Sequence, residues 1–112
     1  MNFLGYIRVS TTKQSKAFSL QNQREAIQTF CKHKKYKLVA LEKEAQSALK
    51  DRPVFERVFQ QVLNDETIDG LIIAKLDRMG RSVKDLATIG SKLLEAKKQL
   101  VSVQDNLEHG YA

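Results

Sequence analysis

Residues 3 to 14 read FLGYIRVSTTKQ, a short apolar segment that carries Tyr6, Arg8 and Ser10 at every second position and ends among hydroxyls. In an extended strand successive side chains point to opposite faces, so Tyr6, Arg8 and Ser10 share one side and Ile7 and Val9 the other. A second polar run, KLDRMGRS from Lys75 to Ser82, holds Asp77, Arg78 and Arg81 within five residues, with Gly80 allowing a backbone conformation that other residues resist. A guanidinium presents a fixed fork of donors that matches phosphate oxygens. Three arginines beside a serine therefore suit a phosphodiester better than a sugar or an apolar ligand. The chemistry implied is phosphoryl transfer with Ser10 as nucleophile, since a hydroxyl can divide one displacement at phosphorus into two covalent steps. Each residue also has a plainer reading: Ser10 as a turn cap, Arg8 as the partner of a carboxylate, Asp77 and Arg78 as a surface ion pair. Their joint occurrence is what favours a site.

To converge, these residues need elements that carry them to one place. Residues 3 to 9 suit a strand. Residues 19 to 34 place Leu20, Ile27, Phe30 and Cys31 on one helical face, and Gln23 falls on the same stripe. An unsatisfied amide there is costly, so Gln23 must bond either a group of the site or the backbone. A second strand is expected over Tyr36–Glu44. Pro53 opens a helix on which Val54, Phe55, Val58, Phe59, Val62 and Leu63 recur at amphipathic spacing, ending near Asn64. Residues 70 to 75, GLIIAK, are apolar through Ala74, as in a strand covered on both faces of a parallel sheet. Ser82 and Asp85 resemble a capping box with Asp replacing Glu, followed by a stripe of Leu86, Ile89, Leu93 and Leu94. Lys97 and Lys98 suit the negative end of that helix, and a final strand is expected over Gln99–Asp105. This alternation predicts an α/β domain of three layers, with a largely parallel central sheet of about four or five strands flanked by helices. Ligands of such sheets bind beyond the carboxyl ends of the strands, where Arg8, Ser10 and the loop from Lys75 meet if the two strands are parallel.

A chain of 112 residues is the size of one domain able to bury a core unaided. With 42% hydrophobic and 29% charged residues and no apolar run near the roughly 20 residues of a membrane span, a water-soluble domain is expected. The formal charge of +6 favours a polyanionic partner, nucleic acid first, although a solvated basic surface has the same charge. Cys31 is the only cysteine, which excludes an internal disulfide and fits a reduced, cytoplasmic setting; no targeting segment is seen at the N-terminus. His33 and His109 stand alone, so no metal site and no cofactor are expected. Another phosphoester enzyme or nucleotide-binding domain is disfavoured by the lack of a Gly-rich phosphate loop.

Four segments in this order, GYIRVSTTKQ, SLQNQREAI, KDRPVFERV and KLDRMGRS, resemble the catalytic domain of the serine recombinases, the resolvase and invertase family, over nearly the whole chain. The resemblance implies the resolvase fold and an attack by Ser10 on a DNA phosphate that leaves a 5′-phosphoserine bond and a free 3′ hydroxyl. Strand exchange within a tetramer of paired homodimers and religation follow, without nucleotide energy, metal or small-molecule cofactor. It implies that Arg8, Arg78 and Arg81 hold the phosphate, and Arg52 in KDRPVF matches a further active-site arginine. Tyr6, Gln14 and Gln23 match second-rank positions that orient them, and Lys75 is counted with these as a DNA-phosphate contact. Asp77 matches a residue that either assists proton transfer to the departing 3′ oxygen or fixes Arg78. Some relatives carry one more lysine in the helix after the matched arginine, where this chain has Gln61. The family's dimerisation helix and DNA-binding region are not seen within residues 1–112, so an excised core or truncated product is expected. The alternative is a non-catalytic accessory domain of a recombination complex.

Overall fold

The computed structural model describes residues 1–9, 20–45, 51–80 and 82–110. Among these residues five strands and three helices follow one another: β1 (Asn2–Val9), α1 (Leu20–Lys34), β2 (Lys37–Ala45), α2 (Pro53–Asn64), β3 (Gly70–Ile73), α3 (Val83–Glu95), β4 (Gln99–Ser102) and β5 (Leu107–Gly110), with a 3-10 turn over Leu76–Arg78. The sheet order is β2-β1-β3-β4-β5. The first four strands are parallel, and β5 returns antiparallel beside β4.

The apolar content of β1 follows from its position: with β2 on one side and β3 on the other, it is buried from Phe3 to Val9. Its alternation divides the core. Phe3 and Ile7 pack with Ile27 and Cys31 of α1, while Leu4 and Tyr6 pack with Phe55, Val58, Ile89 and Leu93 of α2 and α3. The order of strands reverses direction after β2, and crossovers of one hand then set α1 on one face and α2 and α3 on the other. The three layers agree with expectation. Gln23, Ile27 and Cys31, spaced four apart, form the fully covered line of α1, with Leu20 and Phe30 partly buried beside it.

Several local expectations change. The last strand ends at Ser102, and Val103–Asn106 form a turn into β5, with Asn106 at φ 52°. Asp105 lies in this turn, where its carboxylate accepts from Ser102 Oγ at 2.7 Å and from Leu76 N at 2.8 Å. Leu94 is 46% exposed, because at about 100° per residue it stands one step around the helix from Leu93, and the core line runs Leu86, Ile89, Leu93. Lys98 does not lie free at the negative end of α3. It is buried, and its ammonium donates to the carbonyls of Asp65, at 2.8 Å, and Ile68 in the α2–β3 connection. Both α1 and α3 end in a left-handed residue, Lys35 and Lys97, where glycine is the usual choice.

Candidate active site

Arg8 reaches the loop after β3 because of strand register. Tyr6 pairs with Ile73, the last residue of β3, so Ile7, Arg8 and Val9 overhang the point where that strand gives way to Ala74 and the 3-10 turn. The overhang sits between β1 and β3, from which the connections diverge to opposite sides of the sheet, the usual ligand position of this architecture. There Arg8 is 6% exposed, and its guanidinium donates to the carbonyls of Asp77 and, at 3.4 Å, Arg78. Burial pulls its pKa down; the nearby Arg78 guanidinium adds to this and Tyr6 opposes it. Gln23 crosses from α1 to hold the Arg8 backbone, accepting from its N–H at 3.4 Å and donating to its carbonyl at 3.0 Å. Of the two partners expected for that buried amide, these bonds supply the backbone, that of Arg8.

Arg52 approaches the same loop from the residue before α2. It is 7% exposed, lies with its guanidinium carbon 4.6 Å from the centre of the Phe55 ring, donates to the Met79 carbonyl and pairs with Asp85 at 2.9 Å. Asp77, Arg78 and Met79 thus present three consecutive carbonyls to two buried arginines. Asp105 fixes the start of the loop at Leu76, and the loop's own turns close Arg78 N on Lys75 O and Met79 N on Leu76 O at 2.9 and 3.0 Å. Met79 is buried in the core as an anchor. Gly80 has a different reason from the one expected. Its φ is not left-handed; a Cβ there would lie 2.6 Å from Leu86 Cγ, so glycine is needed for the close approach of α3.

This frame leaves Lys75 and Asp77 exposed and Arg78 partly buried. The Asp77 side chain is 61% exposed with its carboxylate 3.7 Å from Arg78 Nε, and the Arg78 side chain is 23% exposed. Lys75 is exposed at the head of the loop, and Gln61 is exposed on α2. Tyr6 is fully buried, and its hydroxyl donates to Glu44 Oε1 at 2.6 Å. Burial, and then the Glu44 carboxylate, raise the Tyr6 pKa far above the ordinary tyrosine range, so the group is a hydrogen-bond donor and not a base. Ser10, Gln14 and Arg81 lie outside the described residues. Among the described residues no group of three or more His, Cys, Asp or Glu converges as metal ligands would, and no helix is long and apolar enough to cross a membrane.

Three carboxylates of this frame were not legible as such. Glu44, 2% exposed, caps α2 in place of any residue of its own: it accepts from Val54 N at 3.0 Å and Phe55 N at 3.1 Å besides Tyr6. In the sequence it belongs to EKE, which reads as a solvated strand edge. Asp85 was legible as the partner of Ser82, whose hydroxyl does accept from Asp85 N at 3.1 Å, but nothing local signals that its carboxylate meets Arg52. Asp105 falls at the end of the strand expected over Gln99–Asp105, although QDN is a turn-forming run.

The model of the resolvase N-terminal domain family matches residues 3–111. The DNA-invertase hin of Salmonella typhimurium is 32% identical over 109 residues, which cover 96% of this chain and 50% of the invertase. The transposon Tn917 resolvase of Enterococcus faecalis is 31% identical over 104 residues, covering 93% of this chain and 50% of the resolvase. The chain thus spans about half the length of these curated relatives. Among solved structures, the N-terminal catalytic domain of TP901-1 integrase superposes with a TM-score of 0.84 at 22% identity, covering 96% of this chain and 81% of that one. A resolvase family site-specific recombinase from Streptococcus pneumoniae gives 0.83 at 22% identity, with 96% and 75% covered. These two likenesses establish the fold, and the family match over residues 3–111 establishes descent: the chain belongs to the resolvase N-terminal domain family.

Proposed function

We propose that this chain is the strand-cutting core of a serine-type site-specific DNA recombinase. The observation that carries the reading is the convergence of Arg8 and Arg52 on the carbonyls of Asp77–Met79, at the sheet edge where β1 ends one residue before Ser10. Two buried cations hold the loop, so that Arg78 and, two residues beyond Met79, Arg81 are the arginines assigned to the phosphate itself. Ser10 Oγ attacks phosphorus and the P–O3′ bond breaks. Ser10 gives up its proton, the departing 3′ oxygen takes one, and the chain remains joined to the 5′ phosphate. Attack by a 3′ hydroxyl on that phosphoserine reverses the step and returns the serine. Guanidinium donors fixed before the reaction stabilise the charge that develops on the phosphoryl oxygens. We assign Asp77 to holding Arg78, because its carboxylate is exposed and lies beside Arg78 Nε. Lys75 adds charge toward the DNA backbone, and Tyr6, Gln14 and Gln23 support the frame.

Residues 1–112 act as one catalytic domain, DNA is the partner, and strand exchange takes place in a tetramer of paired homodimers. The setting is the cytoplasm, where the buried Cys31 stays a thiol. The test is capture of covalent adducts from DNA after denaturing quench, with the protein in the full form its gene encodes. The wild-type chain is expected at 5′ ends through a phosphoserine bond, and Ser10→Ala should form no adduct while keeping the wild-type melting temperature. An adduct that persists in Ser10→Ala rules out the assignment.

A further inference from the structure

Arg52 is almost wholly removed from water, and a buried guanidinium depends on a counter-charge, the more so here because its Nε has no hydrogen-bond partner among the described residues. Among the described residues two carboxylates are within reach. Glu56 is 3.9 Å from Nε and its side chain is 60% exposed; Asp85 is 2.9 Å from Nη2 and its side chain is 21% exposed. Asp85 is thus the principal partner, and its position is itself secured, since its backbone N–H is bound by Ser82 Oγ in the first turn of α3. The other end of Arg52 donates to the Met79 carbonyl, which closes the loop bearing Asp77 and Arg78. A carboxylate beside a phosphate site would by itself repel DNA. It also suits the positive end of α3, where it stands in the first turn, but its ion pair is with Arg52.

We infer that Asp85 is a positioning residue for DNA cleavage, acting through Arg52 on the Asp77–Met79 carbonyl frame. The inference rests on the strand-cutting function proposed above. Without the Asp85 charge, Arg52 is left buried and unbalanced, turns toward Glu56 and solvent, and lets go of Met79. The loop then loosens on the side that leads to Arg81.

The experiment compares wild type, Asp85→Asn, Asp85→Glu, Arg52→Gln and the double variant Arg52→Gln/Asp85→Asn in the adduct assay. Rates are taken at a temperature at which melting curves show every variant folded, and DNA affinity is measured separately. Asp85→Asn should slow adduct formation about 10- to 100-fold, the effect of a displacement near 1 Å at a reacting centre. Its DNA affinity should be unchanged or higher, because a negative charge has been removed; a general loss of structure would lower both. Asp85→Glu should recover most of the rate. In the Arg52→Gln background Asp85→Asn should add less than about a two-fold further loss, since residues acting as a unit are non-additive. An Asp85→Asn rate equal to or above wild type, an Asp85→Glu variant with no recovery, or independent effects in the cycle would each overturn the inference while leaving the recombinase reading in place. A wild-type protein that forms no adduct overturns that reading, and this inference with it.

Discussion

At the scale of single residues, the frame is built from polar groups that water cannot reach. Tyr6 shows how much hangs on such a group: its hydroxyl is buried against the Glu44 carboxylate, and both burial and that contact favour its protonated form. A folded-state pKa raised above the unfolded value, about 10, means that the native state holds its proton after the unfolded chain has lost it. The stability from this group is therefore complete below about pH 9 and declines as pH rises past about 10, by up to about 1.4 kcal/mol per pH unit. Urea unfolding at pH 8, 9.5 and 10.5 should show the decline in wild type and a flatter profile in Tyr6→Phe. At pH 8 that variant should be less stable by about 1–3 kcal/mol, because Glu44 loses a donor in a buried setting. Tyr36, raised in the same direction by burial and Glu108, keeps a residual slope.

At the scale of elements, α2 depends on β2 for its beginning. The residue before it, Arg52, makes no side-chain cap, and the first N–H groups are satisfied by Glu44 from the neighbouring strand. One carboxylate thereby sets the start of α2, the Tyr6 hydroxyl and, through the chain direction at Pro53, the entry of Arg52 into the site. Glu44→Ala should cost about 2–4 kcal/mol in chemical denaturation, combining a lost helix cap with an orphaned buried hydroxyl. Glu44→Gln, which keeps an acceptor, should lose less. The arrangement of elements also shows where local reading works. Alternation in β1 and the 3.6-residue period in α2 and α3 were legible because each is a repeated preference of neighbouring residues for one face. The β4–β5 turn was not, because Val103 continues an apolar alternation that the chain abandons only to pair β5 with β4.

At the scale of the whole molecule, a charge of +6 on 112 residues favours polyanions, and the proposed function therefore predicts a DNA affinity that is mainly electrostatic. Binding should therefore fall steeply with salt and vary little among DNA sequences. Each phosphate neutralised contributes about −0.9 to the slope of log affinity against log salt concentration, so Lys75→Gln should reduce that slope by about one and weaken binding to all sequences alike. Fluorescence anisotropy on two unrelated duplexes across a salt series checks both statements; a Lys75→Gln loss confined to one duplex would contradict the phosphate-contact role.

The residue order alone determined the layers and put forward a set of residues suited to a phosphate. Periods of two and 3.6 residues, and the fork geometry of arginine, are properties that neighbours in sequence carry with them. Only the tertiary structure decided which arginines hold the loop and which carboxylates stand behind them. Arg8 meets Asp77 across 69 residues, Arg52 meets Asp85 across 33, and Tyr6 meets Glu44 across 38. Such partners are selected by strand register and by the abutment of one helix end on another, and a buried polar group then takes whichever partner that packing delivers.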